Sequence, residues 1–173
     1  MIYFISDLHL GHKAIIWMAH RPFEDLYHMD ITLIDNWNKV IKNEDTVYFL
    51  GDFAYKVSEN KIKKYLRELN GKIIFIKGNH DVLTLKANQE IKRFESVQDY
   101  FVLEHDKQSF VMFHFPLESW WHKDKGSIHL HGHIHDHKSI CPHPRKFNVS
   151  AENIGYTPIS IEEIIDKIEN EKT

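Results

Sequence analysis

The chain has 173 residues, 42% of them hydrophobic and 27% charged, with 7 glycines and 5 prolines, which fits one globular domain and excludes disorder, collagen and long flexible linkers. The formal net charge of -3 argues against an extended footprint on nucleic acid, though not against a small nucleotide held locally by a metal. The one cysteine, Cys141, permits no intramolecular disulfide and no cysteine zinc site, and so fits a reducing compartment.

Ile2 to Ile5 is a short apolar run of strand formers that ends at Ser6-Asp7. It has no basic region before it and does not read as a signal peptide. Ile31, Ile34, Trp37, Val40 and Ile41 recur at helical spacing, with Asp30 as a candidate N-cap. Thr46 to Leu50 is a second apolar strand, ending at Gly51-Asp52. Ile62, Tyr65, Leu66 and Leu69 predict a second helix, capped by Ser58 and stopped near Gly71. Ile73 to Ile76 is a third strand, ending at Gly78-Asn79-His80-Asp81. Strand–helix–strand–helix–strand with continuous apolar strands predicts a parallel α/β core covered on both faces.

The second half differs. Tyr100 to Leu103 and Ser109 to Phe115 predict a strand pair joined by the polar turn Glu104 to Gln108. Ser127 to Leu130 and Phe147 to Ser150 predict further short strands. Ser160-x-x-Glu163 is a capping box that opens a helix with Ile161, Ile164, Ile165 and Ile168 on one face. No repeat, linker or low-complexity segment interrupts the chain, so residues 1–173 read as one domain. No apolar stretch approaches the ~20 residues needed to cross a bilayer. The expectation is a cytoplasmic protein without membrane contact.

Fourteen histidines in 173 residues is a marked excess. Histidine is the commonest metal ligand and the usual acid or base near neutral pH. The first three predicted strands end in metal-type ligands: Asp7 and His9, then Asp52, then Asn79-His80-Asp81. Carboxyl ends of parallel strands share one rim, where ligands bind. His114 follows a later strand. His133 and His135, after Gly132, have the spacing that puts two side chains on one side of an extended segment. Each element alone is a common loop feature; the ordered set is far more specific.

That set, Asp7-x-His9, Gly51-Asp52, Gly78-Asn79-His80-Asp81, His114 and Gly132-His133-x-His135, resembles the calcineurin-like metallophosphoesterases over roughly residues 1 to 153. The resemblance is to the family's small single-domain bacterial or phage members. It implies an α/β (α+β) fold, a two-sheet β-sandwich flanked by helices, with a two-metal site at the strand ends. It further implies one metal held by Asp7, His9, Asp52 and His135, and another held by Asp52, Asn79, His114 and His133, with Asp52 bridging. Carboxylate, imidazole and amide donors without thiolate suit Mn first, with Fe, Zn or Ni as alternatives.

By the same resemblance His80 assists the leaving oxygen while Asp81 orients its imidazole, although His80 could instead only support Asn79. His12 and Arg21 could contact a phosphate oxygen, or be a helix cap and a surface pair. Trp120 and Trp121 could form a stacking platform for a base, or be half core and half lid. The segment Asn148-Val149-Ser150-Ala151-Glu152 stands where the family often has an Asn-Val-Gly type sequence, a departure that touches no implied ligand.

The implied activity is hydrolysis of a phosphate ester by metal-activated water, with a diester preferred. The substrate would be a small molecule or a nucleotide. A phosphomonoesterase or phosphoprotein phosphatase on the same site, and a binding module that keeps the fold without catalysis, are the alternatives.

Overall fold

The computed structural model describes residues 1–139 and 141–170. The first half lays down β1 (Ile2–Ile5), α1 (Ile15–Met18), α2 (Leu26–Val40), β2 (Thr46–Phe49), α3 (Glu59–Glu68), β3 (Lys72–Ile76), α4 (Val82–Ile91) and β4 (Phe94–Gln98). The second half adds β5 (Tyr100–His105), β6 (Gln108–Phe113), β7 (Ile128–His131), β8 (Lys146–Asn148), β9 (Ile159–Ser160) and α5 (Ile161–Asn170). Strands β1 to β4 are parallel, and β9 completes that sheet antiparallel to β1, in the order β4-β3-β2-β1-β9. The second sheet has the order β5-β6-β7-β8, with β5 and β6 antiparallel and the other two pairings parallel. Both sheets are mixed and helices flank them.

The period of two along each strand sorts the side chains into two cores. Tyr3 and Ile5 of β1, Val47 and Phe49 of β2, and Ile73 and Phe75 of β3 face Leu33 and Trp37 of α2 and Ile62 and Leu66 of α3. Phe4, Tyr48 and Ile76 face the other way. They meet Phe110, Met112, Ile128 and Leu130 of the second sheet, with Ile161, Ile164 and Ile168 of α5. Burial on both sides explains why β1 to β3 read as unbroken apolar runs.

Helix termini follow local chemistry. Ser58 accepts from Lys61 N at 3.3 Å and starts α3. The capping box opens α5: Ser160 Oγ accepts from Glu163 N at 3.2 Å, and Glu163 Oε2 accepts from Ser160 N at 2.9 Å. Helix α2 starts earlier than its apolar period predicts. Asp25, not Asp30, is its N-cap, accepting from His28 N at 2.8 Å. Asp30 lies inside the helix and is buried, where it accepts from Gly11 N and from the Tyr65 hydroxyl. The strand pair β5–β6 turns through Asp106 and Lys107, both at positive φ.

Among the described residues, no helix is long and apolar enough to cross a membrane.

Candidate active site

The loops after β1 and β2 continue side by side. Asp7 N donates to Gly51 O at 2.9 Å, and His9 N donates to Asp52 O at 3.1 Å. The second sheet is tied to the same rim: Gly132 N donates to His114 O at 2.9 Å, and Ser6 N to Val149 O at 3.0 Å. Residues separated by more than a hundred positions are thereby brought to one edge. Two groups form there, Asp7 with His9 and His135, and Asp52 with His114 and His133; within each, the ligand atoms lie within 4.8 Å of one another.

Five of these six residues have φ between 49° and 70°: Asp7, His9, Asp52, His133 and His135. Left-handed backbone at a residue with a Cβ costs about 1–3 kcal/mol and persists only where the surroundings impose it. The positive φ values also correct the extended reading of the His133–His135 segment. The backbone turns between them, and their imidazoles part to join different groups.

Asp52 links the two groups. Its Oδ2 lies 3.5 Å from His9 Nε2 and 3.6 Å from His114 Nε2, while Oδ1 accepts from His80 N at 2.8 Å. Burial pushes the Asp52 carboxyl up to about 6, against the opposing pull of His114. Asp7 Oδ2 accepts from Ser6 Oγ, Ser150 Oγ and His133 N at 2.6, 3.1 and 3.0 Å. Its Oδ1 is buried with no hydrogen-bond partner, as are both ring nitrogens of His9.

These orphaned atoms fit a cation. A buried carboxylate oxygen and a buried imidazole without partners are costly unless something positive satisfies them. His114 makes the same case. Its Nδ1 hydrogen-bonds Leu50 O at 2.7 Å, which turns the Nε2 lone pair toward Asn79 Oδ1 at 3.0 Å and Asp52 Oδ2 at 3.6 Å. Three acceptors converge where a cation would serve all of them. His135 is oriented likewise, its Nδ1 on Glu152 Oε1 at 3.0 Å and its Nε2 left for the group with Asp7 and His9. The outcome for His135 is a raised pKa: burial pulls it down, and the Glu152 hydrogen bond and charge outweigh that pull. Burial drives His9 well below the ordinary histidine value, which keeps it a neutral donor.

The remaining expected residues sort differently. The His80 ring is half-buried, 5.6 Å from that of His9. Asp81 does not hold it. The Asp81 carboxylate accepts from the backbone N–H groups of Asp52, Gly78 and Phe53 at 2.7, 2.8 and 3.0 Å, and so fixes the loop that carries Asp52. Arg21 is not turned toward a substrate. Its side chain is fully buried and donates to Asp7 O at 2.6 Å, Leu8 O at 2.8 Å and Glu152 Oε1. His12 stays at the site, its ring 5.4 Å from His9, and burial first and Lys56 second lower its pKa to about 4.

Trp120 is buried, with its indole N–H on Ser127 Oγ and its ring against His129, so it offers no free face for a base. Trp121 is exposed and stacks on its neighbour His122. Glu152 and Tyr55 were not expected as site residues. Glu152 stands inside the noted departure Asn148 to Glu152, a signal that could have drawn attention to it; nothing local marks Tyr55.

Similar proteins are found by sequence and by structure. The chain is 39% identical over 179 residues to protein MJ1445 of Methanocaldococcus jannaschii, covering 99% of this chain and 93% of that one. It is 26% identical to the gene 66 protein of Mycobacterium phage L5, covering 96% and 93%. The crystal structure of AQ665 from Aquifex aeolicus superposes with a TM-score of 0.76 at 30% identity, covering 96% of this chain and 98% of that one. The sequence model of the calcineurin-like phosphoesterases matches residues 1–171, through every residue of both ligand groups. A match over nearly the whole length assigns this chain to the calcineurin-like phosphoesterase family, hydrolases of phosphoric esters.

Proposed function

We propose that this protein is a binuclear-metal phosphodiesterase acting on a small phosphate ester or nucleotide. The observation that carries the reading is the position of Asp52 Oδ2, within 3.6 Å of an imidazole from each ligand group. A carboxylate shared between two groups of carboxylate, imidazole and amide donors suits a pair of divalent cations. Asp7, His9, Asp52 and His135 would hold one, and Asp52, Asn79, His114 and His133 the other. The donor set lacks thiolate and suits Mn, Fe, Zn or Ni, of which Mn is the metal proposed. Such cations supply Lewis acidity toward phosphoryl oxygens and lower the pKa of water.

The chain's own residues do the rest. The backbone N–H of His80 is anchored on Asp52 Oδ1, which sets the half-buried imidazole beside the ligand groups. From there it can give a proton to the departing oxygen, a contribution of about 10²–10⁴ in rate. His12 is kept neutral and can accept or donate a hydrogen bond to substrate. Arg21 supports the diester reading indirectly. Spent on Glu152 and two carbonyls, it is no clamp for the additional charge of a monoester. The unpaired Cys141 agrees with a reducing, cytoplasmic setting.

The test compares bis-p-nitrophenyl phosphate with p-nitrophenyl phosphate, using metal-stripped protein to which Mn is returned. The reading predicts Mn-dependent turnover with the higher kcat/KM on the diester, abolished in Asp52→Ala. A higher kcat/KM on the monoester would make it a phosphatase. No turnover by protein that holds two metals would make it a binding module.

A further inference from the structure

Tyr55 packs between two histidines of the site. Its ring centroid lies 4.5 Å from that of His80 at an interplanar angle of 63°, and 4.4 Å from that of His12 at 58°. The Lys56 ammonium stands 5.1 Å from the same ring. Tyr55 N donates to Leu10 O at 3.1 Å, so the ring rises from a loop tied to the segment that bears His9 and His12.

His80 needs such a neighbour. Its backbone is fixed by Asp52, but its imidazole takes its contacts from the rings of Tyr55 and His9. The adjacent carboxylate, Asp81, is consumed by three backbone N–H groups. A half-buried imidazole has several staggered rotamers, and only one can aim at a given leaving oxygen. An edge-to-face aromatic contact selects among them.

We infer that Tyr55 is a positioning residue that holds the His80 imidazole in its working rotamer through its ring, the task the family resemblance implies for Asp81. The inference rests on the proposed phosphoesterase reading for its catalytic consequence, but not for the contact itself.

Two measurements test it. In the metal-free protein, nuclear Overhauser effects should connect His80 ring protons, assigned by their loss in His80→Ala, to Tyr55 ring protons. Their absence would overturn the inference whatever the protein hydrolyses. In the Mn-loaded protein, Tyr55→Leu should lower kcat by about 10- to 100-fold with KM and metal content unchanged, since misplacing a catalytic group by about 1 Å costs that much. Tyr55→Phe, which restores the ring, should recover most of the loss.

In a His80→Ala background, Tyr55→Leu should have no further effect on kcat. An equal loss with and without His80 would show that Tyr55 acts elsewhere and overturn the inference. Should the leucine variant lose its metals, Tyr55→Met gives the same comparison. Failure of the phosphoesterase reading looks different: the unsubstituted protein then hydrolyses nothing while the ring-to-ring effects persist.

Discussion

His135 and Glu152 lie 17 positions apart and meet through a 3.0 Å hydrogen bond, His135 Nδ1 to Glu152 Oε1. The same carboxylate receives the buried Arg21 guanidinium, which also grips the Asp7 and Leu8 carbonyls. Arg21 and His135 together hold the Glu152 carboxyl below its ordinary pKa against the cost of burial. One carboxylate thus orients a candidate ligand and braces the strand end that carries another.

Removing that brace should weaken the metal group it serves. Partners of ligating histidines are worth about 10–100-fold in metal affinity. Glu152→Gln is expected to lower Mn affinity within that range in titration calorimetry of the stripped protein, while the fold by circular dichroism stays intact. Unchanged affinity would mean that Glu152 only neutralises Arg21.

Arg21 should matter for stability more than for substrate. Replacing one member of a buried ion pair leaves an uncompensated charge, at a cost of about 3–5 kcal/mol. Arg21→Met should shift the urea midpoint of the metal-free protein accordingly. A variant of undiminished stability with a raised KM would restore the phosphate-contact role.

Gly132 follows β7 directly and lies against Asp7 and Ser6. A Cβ there would collide with the side chains of Asp7 and Ser6. Gly132→Ala should cost about 1–3 kcal/mol from overpacking. It should also displace the Asp7 carboxylate, so that the variant binds one Mn fewer by elemental analysis. Two metals bound as in the parent chain would show that the loop yields without moving Asp7.

His129 gives the fold an acid sensitivity. Burial lowers its pKa to about 4, while Val111 O takes its Nδ1–H and its Nε2 accepts from Leu117 N. Its folded pKa lies below its unfolded value of about 6.5. The neutral form is favoured on folding, so this stability is complete above about pH 6.5 and is lost as pH falls toward 4. The shift corresponds to about 3 kcal/mol. Urea midpoints measured from pH 7 to pH 4.5 should fall, and fall less steeply in His129→Gln, which keeps a donor and an acceptor but does not titrate in this range. Parallel slopes would assign the acid sensitivity to other groups.

Much of this fold is legible in the chain itself. β1, β2 and β3 are unbroken apolar runs because both faces are buried, and each is followed by residues of the candidate site, Asp7 and His9, Asp52, and Asn79. The capping box at Ser160 and the β5–β6 hairpin are local signals, and local signals survive folding. α4 and β4 were not predicted. α4 buries only Thr84 and Ala87, and β4 alternates half-buried with exposed residues, so neither writes a strong hydrophobic period. The partners that occupy Asp81, Arg21 and Trp120 are not written in residue type. Residue type marks a group as able to bind a ligand, whereas its partners, from Gly78 three positions from Asp81 to Glu152 131 positions from Arg21, can occupy it first. The left-handed backbone at Asp7, His9, Asp52, His133 and His135 is likewise imposed by tertiary contacts rather than by local propensity.

The proposed chemistry requires Asp52 to join two metal positions. Anomalous diffraction at the Mn edge, from crystals of the stripped protein soaked in Mn, tests it most directly. Two peaks are expected, one beside Asp7, His9 and His135 and one beside Asn79, His114 and His133, with Asp52 in contact with both. A single peak, or a pair in which Asp52 touches only one ion, would contradict it.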